Sequence, residues 1–178
     1  MKKFIHLFLL CCGLGFAQNH AIKFNPAGFI YKGFEISYET KAENNNSFEI
    51  ILAHSKFDMN DPYGDLSFYG AEFKYKFFTS KNRKTFEGFY IAPVGTYGEA
   101  NRTVALNGYT IRKDKANVAG FGAIIGNQWI FQQSKTHGFL LDLNAGFSNY
   151  FTNATPGLDA SGVKGFKVRL GIALGYAF

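Results

Sequence analysis

The last thirteen residues constrain this chain more than any other stretch. From residue 166 to residue 178 every second position is large and apolar: Phe166, Val168, Leu170, Ile172, Leu174, Tyr176 and Phe178. The positions between them, Lys167, Arg169, Gly171, Ala173, Gly175 and Ala177, are charged or small. Alternation of this kind is the period of a β-strand, whose successive side chains point to opposite faces. A strand of a soluble sandwich also alternates, but a chain terminus is normally frayed and polar. Here an amphipathic strand runs unbroken to an aromatic final residue.

The pattern recurs upstream. Over residues 139–151, Phe139, Leu141, Leu143, Ala145, Phe147 and Phe151 oppose Asp142, Asn144, Gly146 and Ser148. Over 33–41, Phe34, Ile36 and Tyr38 oppose Glu35, Ser37 and Glu39, and over 69–77 a row of aromatics opposes Gly70, Glu72, Lys74 and Lys76. Residues 119–131 set Phe121, Ile125, Trp129 and Phe131 against glycines and Gln128. Two segments are less regular. Residues 47–58 begin with Phe48, Ile50 and Leu52 and lose phase near His54, and residues 86–99 contain Pro93, which removes a ladder donor and predicts a bulge.

Short and long connections alternate between these strands. Residues 42–46, 80–85 and 133–137 are short links; residues 59–65, 101–116 and 152–163 are longer. Short turns at one end and long loops at the other are the signature of outer-membrane barrels. Counting back from Phe178, the strand at residue 33 needs a partner, which only residues 20–26 can supply. The expectation is an all-β fold, an eight-stranded antiparallel transmembrane β-barrel with both termini periplasmic.

The N-terminus fits an exported chain. Lys2 and Lys3 precede an almost wholly apolar run over residues 4–16, and Gly15-Phe16-Ala17 puts small residues where a signal peptidase reads. Residues 1–17 are therefore expected to be a cleaved signal peptide and residues 18–178 the barrel domain. The run is short of the ~20 apolar residues a membrane helix needs. Cys11 and Cys12 lie inside it, preceded by Leu10 and Cys11, a poor match to a lipoprotein signal, so the mature chain is expected to have no disulfide and no thiolate chemistry. Its formal charge falls from +6 to +4 without Lys2 and Lys3, and no clustered basic face suggests nucleic acid. The 21 Phe, 10 Tyr and 20 Gly favour short strands and close turns.

Four stretches carry a resemblance: IKFNPAGFIYKGFEISYE, GFYIAPVGTY, GFGAIIGNQWIF and LGIALGYAF. In this order the chain resembles a small eight-stranded outer-membrane β-barrel family of unknown function, with the barrel architecture of OmpA and OmpX. The final stretch also resembles the signal read by the barrel-assembly machinery, with Tyr176 and Phe178 as its aromatic residues. The resemblance implies a fold and a location. It implies no catalytic residues and no cofactor.

Period two places Glu35, Glu39, Glu72, Lys74, Lys76, Asp142, Lys167 and Arg169 in the lumen, with Lys167 and Arg169 expected to reach Asp142. Such charges form either an ion path or a paired plug. The plug is favoured, because eight strands enclose a lumen just wide enough for side chains and uncompensated buried charges are costly. His54 and Ser55 suggest a hydrolase, but neighbours on a strand face opposite ways. His20, His54 and His137 are scattered, and residues 58–65, with Asp58, Asp61 and Asp65, lack the pattern of a calcium loop. Arg102, Arg112, Lys113 and Lys115 fall in an expected outer loop that would meet lipopolysaccharide phosphates.

The function expected is a non-catalytic structural or surface-interaction barrel. A narrow pore and a lipid-modifying enzyme are the alternatives. Expected partners are outer-membrane lipid, lipopolysaccharide, the barrel-assembly machinery and a protein partner at the outer loops.

Overall fold

The computed structural model describes residues 19–59, 64–79, 87–106, 109–132, 137–154 and 164–178. Residues 1–18, which include the expected signal peptide, lie outside this set. The described chain is a single closed sheet. Its strands are β1 (His20–Phe24), β2 (Phe34–Lys41), β3 (Ser47–Met59), β4 (Gly64–Phe78), β5 (Gly88–Leu106), β6 (Tyr109–Gln132), β7 (Gly138–Ala154) and β8 (Gly165–Ala177). Every strand pairs antiparallel with its sequence neighbour, and β8 pairs with β1 to close an eight-stranded barrel. Closure leaves no free sheet edge where it is complete. It is pinned at the chain ends: His20 N–H donates to the Phe178 carbonyl (3.1 Å) and Phe178 N–H to the His20 carbonyl (2.8 Å).

The alternation read from the sequence becomes two faces. Along β8 each even-numbered residue from Phe166 to Ile172 is exposed, and each odd-numbered one from Gly165 to Ala173 is more covered. The outward surface carries Phe34, Leu52, Tyr69, Tyr97, Phe121 and Phe139, all more than half exposed, while Lys23, Glu39, Glu49, Lys76 and Asp142 are buried inside. This is the inverse of a water-soluble globule, where such charges are almost never fully buried unless paired.

Several expectations are corrected. Alternation in β3 does not lapse at His54. The register with β4 is continuous from Ser47↔Lys76 to Met59↔Gly64, and His54 takes an outward place with its ring 4.3 Å from that of Tyr69. Pro93 forms no bulge. Pairing of β4 with β5 lapses between Lys74↔Val94 and Phe77↔Ile91 and resumes in the same register, as befits one missing donor. The irregularity in β5–β6 falls instead at Val104/Ala105. The loop expected over 101–116 is largely strand, since β5 runs to Leu106 and β6 starts at Tyr109. Residues 59–65 shorten likewise, because β3 reaches Met59 and β4 starts at Gly64. β1 ends at Phe24, one residue before the Asn25 cap of a short 3-10 helix, η1 (Pro26–Tyr31).

The wall is uneven. β1 has 5 residues and β2 has 8, against 19 in β5 and 24 in β6. At the rim that carries Asn19 and Phe178, β2 and β3 are joined by a short link that contains the 3-10 turn η2 (Glu43–Asn45). At the opposite rim β5 and β6 rise as a two-stranded ribbon.

A buried charge network across the lumen

The inward side chains of β1, β2, β3, β4 and β7 converge in the half of the lumen nearer the termini. Lys23 Nζ lies 2.7 Å from Glu39 Oε2, 2.7 Å from Glu49 Oε1 and 3.1 Å from Asp142 Oδ2. Lys76 Nζ meets the same three carboxylates at 3.1, 3.0 and 2.7 Å. Glu39, Glu49 and Asp142 bring oxygens within 4.8 Å of one another, a spacing that would suit a cation. Here two ammonium groups lie among them. All five side chains are essentially excluded from solvent.

Neutral groups complete the network. Tyr90 donates its hydroxyl to Asp142 Oδ1 at 2.7 Å, and the Lys76 ammonium sits 4.6 Å from the centre of the same ring. Lys76 also donates to Gln128 Oε1 at 2.9 Å, Ser37 to Glu49 at 2.7 Å, and Ser47 to Glu39. Tyr90 can lie flat across the lumen because Gly126 faces it; a Cβ at that position would collide with the ring. Buried ions in this number are tolerable only when each finds partners, since taking an ion out of water costs several kcal/mol.

A second group sits further from the termini. Arg169 grips Glu72 with both terminal nitrogens, Nη1 at 2.6 Å and Nη2 at 2.9 Å, the fork geometry that suits a carboxylate. Thr96 donates to Glu72 at 3.1 Å, and Lys74 lies 3.4 Å from it. Glu35 accepts from Asn25 Nδ2 at 3.0 Å.

This corrects one expectation. Arg169 bonds to Glu72 across the lumen, not to Asp142 on its neighbour β7, and Asp142 bonds to Lys23, Lys76 and Tyr90. Strand tilt explains it: cross-lumen partners are set by the stagger of the whole barrel. Lys167 lines the upper cavity, with no ion pair among the described residues. Lys23 and Glu49 were missed although their positions signal them, between Ile22 and Phe24 and between Phe48 and Ile50.

The remaining candidates stay apart. The His54 ring lies outside, tilted against that of Tyr69, whereas Ser55 lines the interior cavity. His20 bonds the Tyr38 hydroxyl through Nδ1 at 2.6 Å, and His137 lies beside Tyr176 at the same rim. The Asp58 and Asp65 side chains and all of Asp61 fall outside the described residues. Arg102 stands opposite Asp114 in the ribbon, Lys115 bonds Glu99 at 3.2 Å, and Arg112 and Lys113 are β6 ladder residues whose side chains are outside the described set. Tyr176 packs edge-on against Phe139, and the Phe178 ring is 6.1 Å from His20.

The architecture defines a class: small closed β-barrels with an apolar exterior and an ionic core. Residues 3–154 match the family described as Protein of unknown function (DUF3575), and the chain belongs to that family. No curated protein and no solved structure matches it.

Proposed function

We propose that this chain is exported behind a cleaved leader and spans the bacterial outer membrane as a non-catalytic, non-conducting barrel that works by binding at its outer end. The observation that carries this reading is the inverted polarity of the closed sheet. In hydrocarbon every backbone group must be satisfied internally, which a closed barrel achieves. The outward residues also follow the order expected of a bilayer belt. On β7, Phe139 and Phe147 flank Leu141, Leu143 and Ala145; on β8, Phe166 and Tyr176 flank Val168, Leu170, Ile172 and Leu174. Aromatic girdles around an aliphatic band mark the two interfaces of membrane barrels.

The ionic network supports the absence of conduction, because side chains bonded from β1, β2, β3, β4 and β7 cross the lumen. Opposite facing of His54 and Ser55 argues against that pair as a hydrolytic site. The β5–β6 ribbon, with Arg102 and Lys115, would reach the lipopolysaccharide layer, and Tyr176 and Phe178 would serve barrel assembly. Cell fractionation tests the location: the mature chain, starting at Gln18, is expected in the outer membrane and resistant to urea extraction. Recovery as a soluble periplasmic protein would overturn the reading.

A further inference from the structure

The outer half of the barrel is notched. β1 pairs with β8 only from Leu174 to Ala177, so among the described residues β8 from Gly165 to Ala173 has no ladder partner on that side. β2 pairs with β3 only as far as His54, so among the described residues the β2–β3 ladder stops there while β3 runs on to Met59. Between these two edges stands η1, packed on β2, β3 and β8. The four most exposed large hydrophobics among the described residues border this notch: Leu170 (85%), Val168 (75%), Phe29 of η1 (71%) and Phe166 (65%).

Behind the notch lies a cavity of about 510 Å³, lined by Ala53, Ser55, Leu66, Phe68, Lys167 and Arg169 among others. Its volume is that of a small-molecule site, typically ~300–1,000 Å³. Ser55 at the β3 edge and Lys167, Val168 and Arg169 at the β8 edge all line the cavity, so the notch borders it. The lining is divided. Apolar Leu66 and Phe68 belong to β4, and the cations Lys167 and Arg169 belong to β8 at the notch; the carboxylates Glu35, bonded to Asn25, and Glu72 also line it. Gly70 and Gly98 make the bed on which the Phe68 ring lies. Glu72 engages Arg169, whereas Lys167 has no anionic partner among the described residues.

We propose that this cavity takes the acyl chain of a single-chain anionic amphiphile, which enters sideways from the bilayer between β8 and β3. The chain lies against Leu66 and Phe68, and the carboxylate rests at Lys167. Phe166 belongs to the outer aromatic girdle and Lys167 follows it on β8, so this cation lies at head-group level, where such a carboxylate sits. The proposal rests on the membrane reading above, and one experiment separates the two.

The folded full chain is reconstituted in phosphatidylcholine vesicles with a long-chain fatty acid carrying a diazirine at its methyl end, and labelled residues are mapped by mass spectrometry. Labelling both of outward Leu143 and Ile125 and of inward Leu66 and Phe68 is the expected result. Ser55→Trp and Ala53→Trp, which fill the cavity, should abolish inward labelling and leave outward labelling intact. Lys167→Gln should weaken inward labelling about tenfold, the worth of one charge-assisted hydrogen bond, and leave labelling by the matching fatty alcohol unchanged. Outward labelling alone overturns the site and leaves the membrane reading standing. Inward labelling alone overturns the membrane reading, and labelling of neither overturns both. Inward labelling that neither tryptophan reduces also overturns the site.

Discussion

Lys76 Nζ on β4 lies 2.7 Å from Asp142 Oδ2 on β7, and both side chains are buried. The contact spans the lumen, since β5 and β6 separate these strands in the sheet on one side. It ties opposite walls of the barrel together and occupies the path an ion would take.

Removing one member should cost more than replacing the pair. Lys76→Met leaves Asp142, Glu39 and Glu49 with a single ammonium, and breaking a buried pair in this way costs about 3–5 kcal/mol. Lys76→Met combined with Asp142→Leu removes one charge of each sign, and the penalty should be smaller than that of Lys76→Met alone. Urea unfolding of the vesicle-embedded barrel measures both. Additive losses would show that the two side chains do not act as a pair.

Arg169→Ala should also destabilise, by roughly 1–3 kcal/mol, the cost of leaving a buried acceptor without its charged donor. The loss is expected to be smaller than for Lys76 because Arg169 is partly exposed and Glu72 retains Thr96 and Lys74. Arg169→Lys should recover only part, since an ammonium cannot make the two-pronged contact. Full recovery by lysine would contradict the fork geometry.

Two glycines give a matched comparison. A Cβ at Gly126 collides with the Tyr90 ring, whereas nothing lies within 4 Å of one at Gly95. Gly126→Ala should therefore displace Tyr90 from Asp142 and cost about 1.5–3 kcal/mol, the worth of a hydrogen bond to a charged group. Gly95→Ala should be neutral or stabilising, because alanine is the better strand residue. Equal effects on the unfolding midpoint would mean that Tyr90 is not held by Gly126.

Depth in the bilayer gives another test. Leu143 lies in the middle of the apolar run of β7 and Phe151 near its end. Arginine at 143 should cost about 2–4 kcal/mol, and at 151 about 0–1 kcal/mol from charge alone. Equal losses in vesicle unfolding experiments would contradict the belt.

The wall was legible in the sequence and the lumen only in part. Period two states which face each residue takes, and that sufficed for β2, β4, β7 and β8. It does not state which inward residues meet across the lumen, because that depends on strand tilt and stagger. Arg169 therefore was matched to Asp142 on the adjacent strand, when its carboxylate is Glu72 on β4. Lys23 sits on a five-residue strand, too short for alternation to stand out. The β5–β6 ribbon reads as a loop because Arg102, Arg112, Lys113, Asp114 and Lys115 carry no apolar face. Its strands are held by the cross-strand ladder, which leaves no period in composition. The notch left no trace at all, since it arises from unequal strand lengths around the barrel.

Single-channel recording in a planar bilayer tests the central claim most directly, on protein whose folded state is confirmed by its resistance to heat-free detergent. The buried network of Lys23, Glu39, Glu49, Lys76 and Asp142 crosses the lumen in its half nearer Phe178, so the account predicts no discrete conductance steps across a range of applied potentials. Reproducible steps, altered in size by Asp142→Asn, would contradict it and make the barrel a narrow ion pore.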